Sequence, residues 1–228
     1  MASPAPLALA GFLPAWDIER RRADLRPLAA WVLHHLQSLG IPVDSLESAH
    51  RHLDGARSLE VARAITRASA AEEPRLLLVR AVREALPEIP PDRIWLQTHA
   101  HVRLLIPGDT RAAFPPHSDF GLGHGLSERN LWFSLTDAEG EGALHVLPLR
   151  ASLAWMNRTG RVLGVLDDAP EIPPVPTRAG DVLLFTPLHL HRARPPSGPR
   201  CRVSIDVRIV PRPTVAPDLS FSPLRGAP

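Results

Sequence analysis

The chain has 228 residues, which is long enough to bury a hydrophobic core and typical of one barrel or sandwich domain. All 26 basic residues are arginine and 24 residues are acidic, so the formal net charge is only +2, which argues against a nucleic-acid partner. The single cysteine, Cys201, excludes an internal disulfide, and no charged leader or run of about twenty apolar residues is present, so we expect a cytoplasmic protein without a membrane span.

The first ninety residues are predicted to be mainly helical. The arginine run at 20–22 is interpreted as a solvated helix start, because acidic residues flank it. Residues 24–39 follow a helical pattern in which Asp24 can cap and Gly40 ends the apolar repeat, formed by Leu28, Trp31, Val32, Leu36 and Leu39. Further helical segments rich in Ala, Leu, Arg and Glu are predicted at 45–53, 59–68 and 74–86.

From Arg93 the pattern changes to the alternation of a β-strand. One strand of about ten residues is predicted there, with a polar face made of Gln97, His99, His101 and Arg103. Further strands are predicted at 130–136, 142–147, 181–186 and 201–210, and Cys201 is expected to be buried and to face away from Arg202.

The order of these elements predicts the fold class. Helices followed by strands indicate an α+β protein, and several short antiparallel strands favour a double-stranded β-helix, or jelly roll, with N-terminal helices that buttress one face. We expect a single domain with a helical part at 1–90, a jelly-roll core at 93–211 and a loosely ordered proline-rich tail at 212–228. The proline-rich stretch 171–177 is expected to be a loop.

Two separated segments together resemble a metal site. His117 and Asp119 are two residues apart in an extended segment, so their side chains share one face, although such a pair taken alone is more often a loop-capping interaction. A strand predicted at 181–186 would deliver two further histidines, His189 and His191. Two histidines and one carboxylate form the facial triad that holds ferrous iron and leaves coordination positions open.

An arginine beyond the second segment suggests the co-substrate. Arg202 lies eleven residues after His191, where a guanidinium could bind a carboxylate through two hydrogen bonds. An anion held in this way while its other end chelates iron is the arrangement of a 2-oxoglutarate-dependent oxygenase. The non-enzymatic alternative is a jelly-roll binding module that uses the same residues for a structural zinc ion.

Four stretches carry a family resemblance. The segments at 116–124, 130–137, 180–185 and 202–208 resemble the phytanoyl-CoA dioxygenase-like branch of the iron(II)/2-oxoglutarate oxygenases. More closely, they resemble the small oxygenases of aminoglycoside and orthosomycin antibiotic clusters, the hygromycin and everninomicin type that closes orthoester rings. The resemblance covers about residues 93–211.

The resemblance implies roles for particular residues. It makes His117, Asp119 and His191 the iron ligands, Arg202 the partner of the distal carboxylate of 2-oxoglutarate, and Ser204 a second donor to that carboxylate. His189 is the rival ligand, because Arg200 lies eleven residues beyond it, but the family's Arg-Val-Ser-Ile-Asp run begins at Arg202.

Other polar residues are placed near this site by the predicted strands. Gln97, Arg103 and Asn130 are expected to contact co-substrate or sugar, with a structural hydrogen bond as the alternative for each. Substrate contacts are also predicted for His124, His189 and Trp132. The alternatives are an exposed loop histidine for His124, a structural hydrogen bond for His189 and a core position for Trp132.

The expected activity follows from the resemblance. It implies that Fe(II), 2-oxoglutarate and O2 are used to oxidise an amino-sugar or oligosaccharide natural product, with succinate and CO2 as co-products and an orthoester ring as a candidate product. Asp119 argues against halogenation, because halogenating relatives lack this carboxylate. A hydroxylase of another small molecule is the enzymatic alternative, and the oligomeric state is left open.

Overall fold

A short strand and three α-helices form the first part of the described chain. The computed structural model describes residues 17–211 and 221–223. The first elements are β1 (Glu19–Arg22), α1 (Arg26–Ser38), α2 (Gly55–Ala68) and α3 (Glu72–Ala85). The arginine run at 20–22 therefore lies in an edge strand, and its interpretation as a helix start was wrong. Its side chains pair with the acidic neighbours Glu19, Glu88 and Asp181.

The first predicted helix is confirmed as α1. A proline lies in its first turn, where it needs no backbone N–H. Gly40 follows the end of the helix with a φ of 77°, a conformation that glycine adopts with little steric strain because it has no Cβ. Four of the five predicted apolar positions are buried, whereas Leu39 is 41% exposed because it lies beyond the last helical turn.

The next helices differ in detail from their predicted bounds. α2 begins at Gly55, four residues before the predicted start, because the Asp54 carboxylate caps it by accepting a hydrogen bond from the Arg57 amide at 2.8 Å. Leu46–Arg51 is a 3₁₀ turn instead of an α-helix. α3 carries two glutamates in its first turn, where they complement the helix dipole.

The second part of the chain is mainly strand. Its elements are β2 (Ile94–Gln97), β3 (His101–Leu105), β4 (Phe114–His117), β5 (Arg129–Ser134), β6 (Leu144–Val146), α4 (Leu149–Thr159), β7 (Pro174–Val175), β8 (Asp181–Phe185), β9 (His191–Ala193), β10 (Arg202–Pro211) and β11 (Phe221–Pro223). The large sheet has the order β1-β8-β5-β10-β2-β11, with β3 also paired to β10, and the small sheet has the order β4-β9-β6-β7. Every strand pair described is antiparallel, as the predicted jelly roll requires.

The predicted ten-residue strand after Arg93 is broken into β2 and β3. Ser69, at the end of α2, supplies the reason, because its Oγ accepts a hydrogen bond from the Ala100 amide at 2.9 Å. The Thr66 Oγ1 likewise accepts from the Val102 amide at 2.9 Å. These side chains replace the strand partners at the break and join the helical layer to the sheet.

The hydrophobic core lies between the helices and the large sheet. One cluster combines α1 residues such as Leu28 and Leu36 with sheet residues such as Leu131, Phe133 and Val203. Cys201 belongs to this cluster and is 1% exposed, as predicted, and burial raises the pKa of its thiol to about 11. The helices therefore cover the outer face of the large sheet, and the opposite face is left to the small sheet and the site.

Two proline-rich segments depart from the prediction. The stretch 171–177 contains the two-residue strand β7, which pairs with β6. The predicted loose tail contains β11, which pairs with β2, because an otherwise open edge of the large sheet accepts it.

The division into one domain stays a prediction, and residues 1–10, on which the expected lack of a leader depends, lie outside the described ranges. In the part of the chain that is described, no helix is long and apolar enough to cross a bilayer.

Replacing Ser69 by alanine is expected to destabilise the fold by about 1–3 kcal/mol, since the buried Ala100 amide would lose its partner. Urea denaturation measures this change. The matched control is Ser38→Ala, which removes an exposed hydroxyl that donates to the His35 carbonyl and should stay within about 0.5 kcal/mol of wild type. Equal midpoints for the two variants would contradict the account of the strand break.

Candidate metal centre and co-substrate pocket

The two halves of the predicted triad meet through strand pairing. His117 is the last residue of β4 and His191 is the first residue of β9, and the two are register partners in the small sheet. Asp119 follows two residues after His117, in the αR region, where the chain leaves the strand. Segments more than seventy residues apart in sequence thus place three donor groups on one side of the small sheet.

The donor atoms of these three residues converge. One ligand atom from each of His117, Asp119 and His191 lies within 4.8 Å of the others, and all three residues are buried. Asp119 Oδ1 is 3.6 Å from the Nε2 of His117 and 3.8 Å from the Nε2 of His191. No fourth His, Cys, Asp or Glu joins this group in the described residues, so the closed four-ligand set of a structural zinc site is not formed there.

Backbone carbonyls orient both imidazoles. The Nδ1–H of His117 donates to the Pro115 carbonyl at 2.9 Å, and the Nδ1–H of His191 donates to the His189 carbonyl at 3.0 Å. A carbonyl can only accept, so these bonds assign a proton to each Nδ1 and turn each Nε2 toward Asp119, where the neutral ring would offer its lone pair. Burial lowers the pKa of His191 to about 4, which keeps this imidazole in its neutral, ligating form at pH 7.

The carboxylate of Asp119 is held in its ionised form. Burial by itself would favour the neutral acid, but the imidazoles of His191 and His117 when they are protonated, together with the Arg208 guanidinium, outweigh it and hold the pKa of Asp119 well below its usual range. Its Oδ2 accepts a hydrogen bond from Asn130 Nδ2 at 2.5 Å, and its Oδ1 lies 3.3 Å from Arg208 Nη2. Two imidazole nitrogens and one carboxylate oxygen, with no fourth His, Cys, Asp or Glu donor among the described residues, suit a ferrous ion.

Arg202 is a buried cation with an incomplete set of partners. Its side chain is 1% exposed, its Nη1 donates to Ser204 Oγ at 3.3 Å, and its Nε and Nη2 have no hydrogen-bond partner in the described residues. The guanidinium lies over the Trp132 ring, 5.4 Å from the ring centre. Burial lowers the pKa of Arg202 to about 10, which still leaves it charged at pH 7. A buried, unpaired guanidinium fits a ligand carboxylate.

One small cavity between the two sheets contains both the triad and Arg202. It is lined by fourteen residues: Arg103, Phe114, His117, Asp119, Asn130, Trp132, Leu144, Phe185, His191, Arg192, Ala193, Arg202, Asp206 and Arg208. Of the additional polar residues predicted for the site, Arg103, Asn130 and Trp132 lie in this lining. Arg103 donates from Nε to Asp206 Oδ2 at 2.8 Å, and its guanidinium covers the Phe114 ring.

Other predicted site residues lie elsewhere. Gln97 is 7% exposed and accepts the Arg208 amide with its Oε1, so its side chain supports β10 and does not line the cavity. Trp132 is 1% exposed, so the partly exposed indole needed to stack on a sugar is not formed. His124 bonds to Glu128 at 3.0 Å on the segment that follows the triad carboxylate, outside the cavity lining.

His189 is fully buried and is not part of the donor group. Its Nδ1 accepts a hydrogen bond from the Thr186 amide at 3.1 Å, and its Nε2 lies 3.4 Å from Asp17 Oδ1. Both ring nitrogens of His189 therefore have partners other than Asp119. Its expected place on the same face as His191 was wrong, because residues 186–190 form a turn in which strand alternation does not apply.

Arg208 and Glu128 also lie at the site, although neither was predicted from the sequence to belong to it. Arg208 contacts Asp119 and lies 3.8 Å from Glu128, a buried glutamate whose Oε1 also accepts the Gly125 amide. The signal for Arg208 was present, since Arg202, Ser204, Asp206 and Arg208 alternate along β10 and share one face. Glu128 gave no such signal, because it lies in a loop before β5.

Several solved structures are similar to the chain at low sequence identity, and the first of those below shows the same fold. The non-heme monooxygenase ThoJ in its apo form is 15% identical with a TM-score of 0.54, covering 91% of this chain and 79% of ThoJ. AviO1 from Streptomyces viridochromogenes Tue57 is 18% identical with a TM-score of 0.47, covering 95% of this chain and 99% of AviO1. EvdO2 from Micromonospora carbonacea var. aurantiaca, complexed with 2-oxoglutarate, is 16% identical with a TM-score of 0.44, covering 69% of this chain and 67% of EvdO2. No curated protein matches the chain.

The family profile described as Phytanoyl-CoA dioxygenase (PhyH) matches residues 7–204, which is most of the chain. With the jelly roll and the His-Asp-His group, this match defines a non-haem iron oxygenase whose cofactors are Fe(II) and 2-oxoglutarate. The chain belongs to the phytanoyl-CoA dioxygenase family.

Proposed function

We propose that His117, Asp119 and His191 hold the ferrous iron and that Arg202 and Ser204 bind the distal carboxylate of 2-oxoglutarate. The observation that carries this proposal is the burial of the partly unpaired Arg202 guanidinium in the same cavity as the triad. Iron bound there with 2-oxoglutarate supplies the O2-dependent oxidation of one substrate C–H bond, with release of succinate and CO2.

In this proposal the protein residues position the metal ligand and the co-substrate and exclude water from the cavity. Asn130 occupies Oδ2 of Asp119, so a single carboxylate oxygen remains for the metal. Phe114, Phe185 and Leu144 line the cavity with apolar surface and keep water away from the reacting groups. Arg103, fixed by Asp206, presents the rest of its guanidinium to co-substrate or substrate.

The proposed substrate is a polyhydroxylated natural product, an amino sugar or oligosaccharide of antibiotic biosynthesis. The cavity wall supports this choice, since Arg103, Asp206, Asn130 and Arg208 offer donors and acceptors whose charges partly cancel. Such a wall suits hydroxyl and amino groups better than a lipid chain. The resemblance to orthoester-forming oxygenases suggests ring closure as the reaction, and hydroxylation of another small molecule is the second candidate.

Replacing His191 by alanine is expected to abolish stoichiometric Fe(II) binding, because two donors do not form the facial triad. Anaerobic calorimetry with Fe(II) measures this loss. The matched variant is His189→Gln, which should lower the unfolding temperature, because the Thr186 amide loses its partner, but should retain one equivalent of iron. Iron binding lost in His189→Gln and kept in His191→Ala would reverse the ligand assignment.

Replacing Arg202 by alanine is expected to weaken 2-oxoglutarate binding by about a hundredfold, which corresponds to loss of a charge-assisted contact of about 3 kcal/mol. The visible charge-transfer band formed on anaerobic addition of Fe(II) and 2-oxoglutarate reports the affinity. Iron binding should be retained, because Arg202 is not among the three converging donors. A wild-type protein that is folded and forms no such band would contradict the proposed site.

Aminoglycosides and their precursors should stimulate succinate release by the iron-loaded enzyme if the substrate class is right. The product mass then separates the two reactions, because hydroxylation adds one oxygen whereas ring closure removes two hydrogens. Stimulation by an amino acid or lipid instead of any carbohydrate would contradict the substrate class and leave the oxygenase assignment intact.

A further inference from the structure

The two oxygens of the Asp119 carboxylate have different partners. Oδ2 accepts a hydrogen bond from Asn130 at 2.5 Å and is thereby fixed. Oδ1 is the atom nearest to both histidine Nε2 atoms, at 3.6 and 3.8 Å, and it is also 3.3 Å from Arg208 Nη2. The oxygen that faces the proposed metal position is therefore the one that a guanidinium already contacts.

A second carboxylate lies on the other side of Arg208. The buried Nε of Arg208 has no hydrogen-bond partner in the described residues, and Glu128 Oε2 is 3.8 Å away, just beyond bonding distance. Glu128 itself is 9% exposed and is held in place, since its Oε1 accepts the Gly125 amide at 2.7 Å and its Oε2 is 3.0 Å from His124 Nδ1. A movement of under about 1 Å would complete a charge-assisted bond from Arg208 to Glu128.

A divalent ion at the triad would change the balance between these two partners. The ion and the guanidinium carry like charges and would share one carboxylate oxygen in a buried, low-dielectric site, where repulsion is strong. Glu128 offers Arg208 a compensating charge at almost no structural cost. Arg208 is thus placed between two carboxylates, one of which is a proposed metal ligand.

We infer that Arg208 competes with the metal ion for Asp119 Oδ1 and that Glu128 receives Arg208 when the ion is bound. Arg208 is a positioning residue that orients the ligand carboxylate before metal arrives and lowers the site's affinity for divalent ions. The inference rests on the proposed metal ligands.

The test is Co(II) binding by the full-length chain, titrated calorimetrically without 2-oxoglutarate. Arg208→Gln should bind Co(II) about tenfold more tightly, since the competing charge is gone while Asn130 still orients the carboxylate. Glu128→Gln should bind about fivefold more weakly, since Arg208 loses its alternative partner. The double variant should match Arg208→Gln, because Glu128 acts only through Arg208.

The control is Arg194→Gln, which removes an exposed arginine paired with Glu141 at 2.7 Å and should leave the affinity unchanged. Thermal denaturation of each variant gives the folded fraction to which affinities are referred. A purely structural Arg208 would weaken metal binding on substitution, and either that result or no change would overturn the inference. So would a Glu128 effect that persists in the double variant. Failure of the wild-type chain to bind Co(II) would instead remove the proposed site.

Discussion

Everything in the site depends on the antiparallel pairing of β4 with β9. That pairing sets His117 opposite His191, and a shift of one residue would turn one of the imidazoles to the outer face of the sheet. The backbone carbonyls of Pro115 in β4 and of His189 in the turn before β9 then orient the two rings. The strand register thus determines which histidines face each other, and the neighbouring carbonyls fix the orientation of each ring and place a proton on each Nδ1.

The large sheet contributes the groups that complement this pair. Along β10, alternate side chains enter the space between the sheets, so Arg202 and Arg208 reach opposite parts of one cavity. Arg202 lies over Trp132 of β5, and Asn130 of the same strand bonds the Asp119 carboxylate. Arg202 and Arg208 therefore come from the large sheet and the two histidine donors from the small sheet, which places the charged groups at the junction of the sheets.

Much of this could be predicted from the sequence. The fold class, α1 and the main strands follow from local periodicity. The grouping of His117 and Asp119 with a distant histidine follows from the motif and not from strand alternation, because β4 ends at His117 and Asp119 is in the αR region. The choice between His189 and His191 could not be made from spacing, because it depends on a turn at 186–190 and on the contacts of the His189 ring nitrogens with the Thr186 amide and the Asp17 carboxylate. The break between β2 and β3 was invisible for a similar reason, since Ser69 and Thr66 of a distant helix provide the bonds.

The burial of Arg202 has a consequence beyond recognition. A desolvated guanidinium with two unpaired nitrogens opposes folding, whereas an anion that pairs with it does so only in the native state. By mass action, such an anion shifts the unfolding equilibrium and protects the chain from proteases that attack open forms. In the proposed complex, the dicarboxylate therefore stabilises the native state as well as serving as co-substrate.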